Sequence, residues 1–573
     1  MNACKNEPVS GVACSGGIGI GNVVLLREYP VKKDAPRGGD PQLEIERLKE
    51  AAQKYKAHTL LLADKVEAKL GRTDADIIRS HIAIAEDPEA NMLVRKLISS
   101  GQSAEEAVSG VSRIYFNMFQ NSEDPLLSQR TADILDIRDS LLDILTDGIQ
   151  YGQYAEGSVL AGKNIPPSLV SGLLDGKIAG IVSENGNETS HCAILAKALR
   201  IPMVSGIGNI YDVVSKDDKI IVDGTAGEII IEPDEDTVLL YEKRRKEYTD
   251  KISRLREFAG KETKTVDGCK LSILCNISGI NDLRKVKASD GEGIGLFRTE
   301  MLFMASPKAP AEEEQFSIYK SVVLQMDGKP LVIRTLDAGG DKEIPYLDFP
   351  EEENPFLGIR GIRFSLKEQK LFRTQLRAIL RASAYGDIKI LIPMISCVEE
   401  LVSVKEIVKE IKTGLDKEGI AYKKDIQTGC MIETPSAALM ADELAKEADF
   451  FAVGTNDLIQ YTMCADRGNS SVSYLYSAMQ PAVLRLLKGI CSAAGSRGIG
   501  VCICGESAAN SMLLPVYLAL GIKTLSVNPD AVLELRENIS KWSLSDAERK
   551  AESVFDMSTE EEIYAYLSNL RVN

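Results

Sequence analysis

Histidine is scarce in this 573-residue chain: three occur, His58, His81 and His191, so any histidine chemistry has few addresses. No uninterrupted apolar run approaches the ~20 residues of a membrane-spanning helix, and the start MNACKNEPVS lacks the apolar stretch of a secretion signal. A cytoplasmic location and no membrane partner are therefore expected. Basic side chains are outnumbered, 68 Lys and Arg against 84 Asp and Glu, for a net charge of −16. That field repels nucleic acid and suits a basic or neutral protein partner. The 11 cysteines are odd in number, run from Cys4 to Cys504, and show no paired CxxC spacing of a zinc site. Reduced thiols are the expectation.

What is present reads as several domains. Ser10 to Arg27 is glycine-rich and then β-branched, a turn followed by a strand. From about Pro41 to Leu145 apolar residues recur at helical spacing, as in Leu43, Ile45, Leu48 and Leu60, Leu61, Val66, Leu70. Short strand-like runs return between Gly157 and Glu232 (SVLAG, IAGIVS, KIIVDG, GEIIIEP), with one helical stretch from His191 to Leu199. This compact α/β unit is expected to share its sheet with the N-terminal strand, the helices forming an insertion. Asp234 to Phe258 is charged and free of Gly and Pro, a solvated linker helix.

After Lys261, LSILCNI, GIGLFRT, LVIRTLD, KILIPMI, GCMIET, FFAVGTND, GVCICGE and TLSVNP recur with helical patterns between most of them. Eight buried strands alternating with helices predict a (β/α)8 barrel. The fold class is thus multidomain α/β: residues 1–30 with 148–233 as an α/β domain, 31–147 as its inserted helical subdomain, 234–260 as a linker helix, and 261–573 as the barrel.

Barrel chemistry sits at the C-terminal strand ends, and here these ends are polar. Arg298, Arg334, Glu433, Asn456, Asp457 and Cys504 close strand runs, and Arg360, Arg363 and Arg467 follow in loops. Arginine forks grip phosphate and carboxylate, and Glu433 with Asp457 offers the oxygen ligands Mg²⁺ prefers. The alternative is a set of ordinary surface ion pairs. Cys504 is read either as a proton-carrying thiol or as a small buried filler.

A second constellation is GNETSHCAILAKAL. Thr189 or Ser190 can cap the helix beginning near His191, placing the imidazole where a helix dipole disfavours its protonation and welcomes a phosphoryl group. The competing reading is a satisfied core or capping histidine. His58 and His81 lie in helical patterns without polar catalytic neighbours and are assigned to packing or partner contact.

These blocks carry a resemblance. TSHCAILAKAL, GIGLFRTEMLFM, VIRTLDAGGDKEIPY, ENPFLGIRGIRF, IETPSAA, FFAVGTNDLIQYTMCADRGN and CGE, in that order, are similar to the enzyme I family of the phosphoenolpyruvate:sugar phosphotransferase system. HIAIAEDPE and QRTADILDIRDSLL resemble its carrier-binding subdomain, so the likeness spans essentially the whole chain. The related dikinases and synthases need a nucleotide-binding domain for which there is no room. The resemblance implies a phosphohistidine domain, a carrier-binding insertion, and a phosphoenolpyruvate-binding barrel that forms a homodimer. It further implies that His191 accepts the phosphoryl group and passes it to the phosphocarrier HPr, the first step of sugar uptake. Arg298, Arg334 and Arg360 would hold the substrate phosphate, Asn456 and Arg467 would complete the pocket, Glu433 and Asp457 would bind Mg²⁺, and Cys504 would protonate the enolate to pyruvate. The histidine would swing between substrate and carrier, with the hinge in the linker.

The chain departs from the family at Asn187 and Glu188, where two glycines and often an arginine precede TSH; the added carboxylate either raises the imidazole pKa of His191 and slows attack, or points to solvent. SGGIGIG lacks the usual proline, and GESAA and LSVNPD differ from the usual barrel ends. Two competing functions follow: a paralogue that senses phosphoenolpyruvate without turnover, and a barrel lyase or kinase that dispenses with His191.

Overall fold

Short apolar runs, most of them buried on both faces, build the sheet of the first of two compact units. The computed structural model describes residues 6–26, 39–70, 72–120, 131–146, 155–163, 165, 176–185, 191–340, 342 and 344–570. The units are Met1–Ser253 and Arg254–Asn573. In the first, β1 (Pro8–Ser10), β2 (Val12–Ser15), β3 (Ile18–Leu25), β4 (Ser158–Gly162), β5 (Ile178–Ser183), β6 (Met203–Ser205), β7 (Lys219–Asp223) and β8 (Glu228–Ile231) form one sheet. Its order is β1-β8-β7-β3-β4-β5-β6-β2. As expected, the N-terminal strand β3 lies inside this sheet, antiparallel to β7 and parallel to β4. The glycines of SGGIGIG have a physical reason: a side chain at Gly21 would collide with the Gly157 carbonyl, and one at Gly19 with that of Ala179.

The inserted helices are α1 (Pro41–Leu70), α2 (Arg72–Ala85), α3 (Pro88–Ser99), α4 (Ala104–Gln120) and α5 (Thr131–Leu145). Leu62, Ala63 and Val66 of α1 and Ile78 of α2 are buried together with Leu160, Ile178 and Ile181 of the sheet. A second apolar cluster, Leu48, Val94, Ile98, Val108 and Val111, joins α1, α3 and α4. The helix α6 (His191–Leu199) buries Cys192, Ala193, Leu195 and Ala196 in the first cluster, which fixes its azimuth on the sheet. The linker helix α7 (Glu235–Arg256) starts where expected because Asp234 Oδ1 accepts the Thr237 N–H at 2.8 Å.

In the second unit, β9 (Ser272–Ile277), β10 (Ile294–Arg298), β11 (Leu331–Arg334), β12 (Ile388–Ile392), β13 (Thr428–Ile432), β14 (Phe450–Val453), β15 (Gly500–Ile503) and β16 (Thr524–Val527) form a closed barrel. Neighbours pair in parallel all the way round, β16 returning to β9. Each coincides with one of the eight apolar runs of the sequence. Leu296, Val332, Leu391, Met431, Ala452 and Cys504 fill the lumen, so the barrel is a packed core whose free space lies beyond the strand ends. Among the described residues no helix is long and apolar enough to cross a membrane.

Candidate active site

Beyond the strand ends, acidic residues from three separate segments organise the arginines. Asp337, three residues past the end of β11, has no exposed surface and grips Arg360 with both oxygens: Nε to Oδ1 and Nη2 to Oδ2, each at 3.1 Å. Lys342 Nζ reaches Asp337 Oδ2 at 2.7 Å, and Arg334 Nη2 lies 3.3 Å from the same oxygen. Burial works against the Asp337 charge, but Lys342, Arg360 and Arg334 hold its carboxyl well below the usual range. Glu300 Oε1 accepts from Arg334 Nη2 at 2.7 Å and from the Asp337 N–H at 3.2 Å. Burial disfavours the Arg334 charge too, yet Glu300 and Asp337 more than compensate and keep the guanidinium protonated.

Arg360 is completely buried and carries its remaining contacts across the site, donating from Nη1 to Asp457 Oδ1 at 2.9 Å and to the Tyr461 hydroxyl at 3.3 Å. Four contacts on five guanidinium donors leave Arg360 one N–H for a ligand. Arg334 Nε is buried with no hydrogen-bond partner among the described residues. Arg298 makes no side-chain hydrogen bond or ion pair among them, and burial together with the neighbouring Arg334 charge lowers its pKa. Two guanidiniums that repel one another, each with unused donors, are stabilised by an anion placed between them.

Glu433, at the end of β13, is held by one oxygen only. Its Oε1 accepts the Met394 N–H at 2.7 Å; its Oε2 is buried and has no hydrogen-bond partner among the described residues. Met394 presents that N–H from a left-handed backbone, φ 59°, an uncommon conformation for a side chain of this size. Gly454 leaves the orphan oxygen its space, since a Cβ there would lie 2.5 Å from Oε2. Burial, then Asp457 and Asp337, push the Glu433 carboxyl up to about 8. A cation shared by Glu433 and Asp457 would restore the carboxylate, and two carboxylates completed by substrate oxygens are what Mg²⁺ takes at phosphoryl sites. The donor set fits that ion. Among the described residues no group of three or more His, Cys, Asp or Glu is arranged to hold a metal by itself.

Cys504 follows β15, 1% exposed, with Sγ 3.3 Å from the Val453 carbonyl. Burial, with Glu433 nearby, pushes its thiol up to about 12, so it keeps its proton at neutral pH and can serve as an acid. The adjacent backbone is fixed by Asn276, whose Nδ2 donates to the Cys504 carbonyl at 3.1 Å.

Asn456 is oriented by a reciprocal pair: Oδ1 accepts the Glu506 N–H at 3.0 Å and Nδ2 donates to Glu506 Oε1 at 3.2 Å. One amide N–H is left for a ligand. Arg467 is exposed, its backbone N–H donating to Gln460 Oε1 at 3.1 Å, and its charge acts on Tyr476, whose hydroxyl donates to the Asn456 carbonyl at 3.1 Å.

The structure therefore brings Arg298, Arg334, Arg360, Glu433, Asp457 and Cys504 into one electrostatically coupled cluster, with Asn456 and Arg467 linked through Glu506 and Tyr476. Arg363 instead donates from Nη1 to the Leu357 and Gly358 carbonyls of its own loop and from Nη2 to Ser396 Oγ, each at 3.0 Å. Sequence reasoning missed Glu300, Asp337, Lys342, Tyr461 and Glu506. Asp337 and Lys342 lie in VIRTLDAGGDK, and their spacing from the strand end was the available signal. His191 opens α6, but its side chain, together with the capping residues Thr189 and Ser190 and the departures Asn187 and Glu188, lies outside the described residues.

Three family models match along the chain: PEP-utilising enzyme, N-terminal, over residues 10–130; PEP-utilising enzyme, mobile domain, over 154–227; and PEP-utilising enzyme, PEP-binding domain, over 253–544. A phosphoenolpyruvate-protein phosphotransferase of Priestia megaterium is 38% identical over 567 residues, covering 98% of this chain and 99% of that protein. Its namesake in Bacillus subtilis (strain 168) is 38% identical over 565 residues, with the same coverage. That of Staphylococcus carnosus (strain TM300) is 37% identical over 561 residues, covering 97% and 98%.

Proposed function

This chain belongs to the phosphoenolpyruvate-protein phosphotransferase family, and from that membership we propose how its own residues carry the transfer. The reaction moves the phosphoryl group of phosphoenolpyruvate to a protein histidine, which here is His191. Arg298, Arg334 and Arg360 bind the phosphate and carboxylate oxygens, while Asn456 and Arg467 fix the rest of the substrate. One observation carries this assignment: the Arg334–Asp337–Arg360–Asp457 array, with its unused guanidinium donors, lies in the same coupled cluster as the orphan Glu433 oxygen.

Glu433 and Asp457 would hold Mg²⁺, which when bound neutralises charge on the substrate oxygens. A ring nitrogen of neutral His191 attacks phosphorus in line; the N–P bond forms as the bond from phosphorus to the enol oxygen breaks. The electron pair left on oxygen makes the enolate of pyruvate. Cys504 gives its Sγ proton to the methylene carbon, releasing pyruvate, and the thiolate regains a proton from water. The arginine array positions the phosphoryl group and screens its charge, the dominant contribution in phosphoryl transfer.

Phosphohistidine 191 then passes the group to a histidine of the small phosphocarrier HPr, the first step of sugar uptake, in the cytoplasm. The inserted helices α1 to α5 form the carrier-binding subdomain and the barrel carries a homodimer contact; the domain limits are those read from the sequence. Incubation with labelled phosphoenolpyruvate and Mg²⁺ tests the assignment. Acid-labile, base-stable label on wild type, absent from His191→Ala and chased onto HPr, is the expected result. Label retained by His191→Ala would refute it.

A further inference from the structure

Tyr461 joins the two halves of this site, and nothing in the family pattern quoted above gives it a role. It follows Asp457 by four positions on the helix Thr455–Met463, so both side chains leave one helix face. Its hydroxyl accepts from Arg360 Nη1 at 3.3 Å, the nitrogen that also donates to Asp457 Oδ1 at 2.9 Å. The same hydroxyl donates to the backbone carbonyl of Phe356. The Phe356 ring in turn lies beneath the Arg360 guanidinium, 5.9 Å from its centre.

Apart from Ile359, which packs against Phe303, Leu336 and Phe364, residues 350–359 are held, among the described residues, by hydrogen bonds to themselves and to Arg363, which in turn donates to Ser396 Oγ at 3.0 Å. Glu352 folds back so that both its oxygens accept the Ile359 N–H, at 3.1 and 3.0 Å, and Arg363 holds the Leu357 and Gly358 carbonyls. Among the described residues, the bond from Tyr461 to Phe356 is the one hydrogen bond linking 350–359 to a segment beyond Arg363. Losing that O–H would orphan a carbonyl and leave Arg360 Nη1 with Asp457 alone, no longer sharing an anchor with the loop.

We propose that Tyr461 is a positioning residue: its hydroxyl latches the loop 350–359 over Arg360 and aims that guanidinium at the substrate phosphate. The inference rests on the proposed assignment of Arg360 to phosphoenolpyruvate. Binding of substrate and seating of the loop are then one event, and the hydroxyl acts on substrate affinity more than on the chemical step.

The test is Tyr461→Phe in the full chain, compared with wild type for pyruvate release and for cleavage of the loop by a protease specific for glutamate, whose targets are Glu351, Glu352 and Glu353. KM for phosphoenolpyruvate should rise about tenfold, as loss of one hydrogen bond to a charged group implies, with kcat within about twofold of wild type. Loop cleavage should be faster by a similar factor. An unchanged KM, or a fall in kcat at constant KM, would overturn the inference. If wild type itself fails to turn over phosphoenolpyruvate, the functional assignment fails instead, and equal cleavage of the two proteins would still overturn the latch.

Discussion

Asp337 and Arg360 meet through two parallel hydrogen bonds of 3.1 Å, and neither side chain exposes any surface. A paired charge so buried is expensive to break. Asp337→Ala leaves Arg334, Arg360 and Lys342 without their shared anion. Stability should fall by about 3 to 5 kcal/mol, measured by chemical unfolding, and KM for phosphoenolpyruvate should rise because the arginines splay. Asp337→Asn, which retains hydrogen bonding, should recover part of the stability and less of the affinity.

Cys504 should behave as a protonated acid and a poor nucleophile. With the thiol pushed up to about 12, iodoacetamide at pH 7.5 should label exposed Cys397 and Cys464 while sparing Cys504, as read by mass spectrometry. Cys504→Ala should slow pyruvate formation by roughly 10² to 10⁴ while leaving the fold intact.

Glu433 is a buried carboxyl satisfied on one oxygen only. Glu433→Gln should abolish the Mg²⁺ dependence of activity together with nearly all turnover. Its melting temperature should equal or exceed that of wild type, because an uncompensated buried acid has been removed. Magnesium titration followed by calorimetry separates this outcome from general unfolding.

His81 sits within the inserted helices, 2% exposed, with Nε2 3.4 Å from Asp133 and Nδ1 3.5 Å from Asp136. Burial alone would lower its pKa, but the two carboxylates raise it from 6.5 to about 9. A folded pKa above the unfolded one contributes stability that is complete below pH 6.5 and is lost as pH rises through 9. The contribution is on the order of 3 kcal/mol. Melting curves from pH 6 to pH 10 should show that decline, and His81→Gln should flatten it.

The legible parts of this molecule are those in which local sequence already contains the physics. All eight barrel strands announced themselves because a strand buried on both faces must be a continuous apolar run, and LVIR, IKILI and FFAV are such runs. The residues closing them were legible because charge directly after such a run has few structural uses. The three-residue strand β6 was not anticipated, being too short for any pattern, and the N-terminal turn proved to separate two strands, β2 and β3. Asp337, Glu300 and Tyr461 were missed because an acid or a tyrosine outside the strands is commonplace until the partner is known. Tyr461 meets Phe356 across 105 residues, and Asn456 meets Glu506 across 50. His81 read as a packing or partner-contact residue, and its buried position fits packing; its aspartates belong to another helix, invisible to local inspection.

The transfer to His191 is tested by counting pyruvate released against phosphohistidine formed in a single turnover with phosphoenolpyruvate and Mg²⁺, for wild type and His191→Ala. Equal amounts of the two products are expected from wild type and neither from the variant. Pyruvate released by His191→Ala at the wild-type rate would contradict that transfer, because the barrel would then be acting on phosphoenolpyruvate without the histidine.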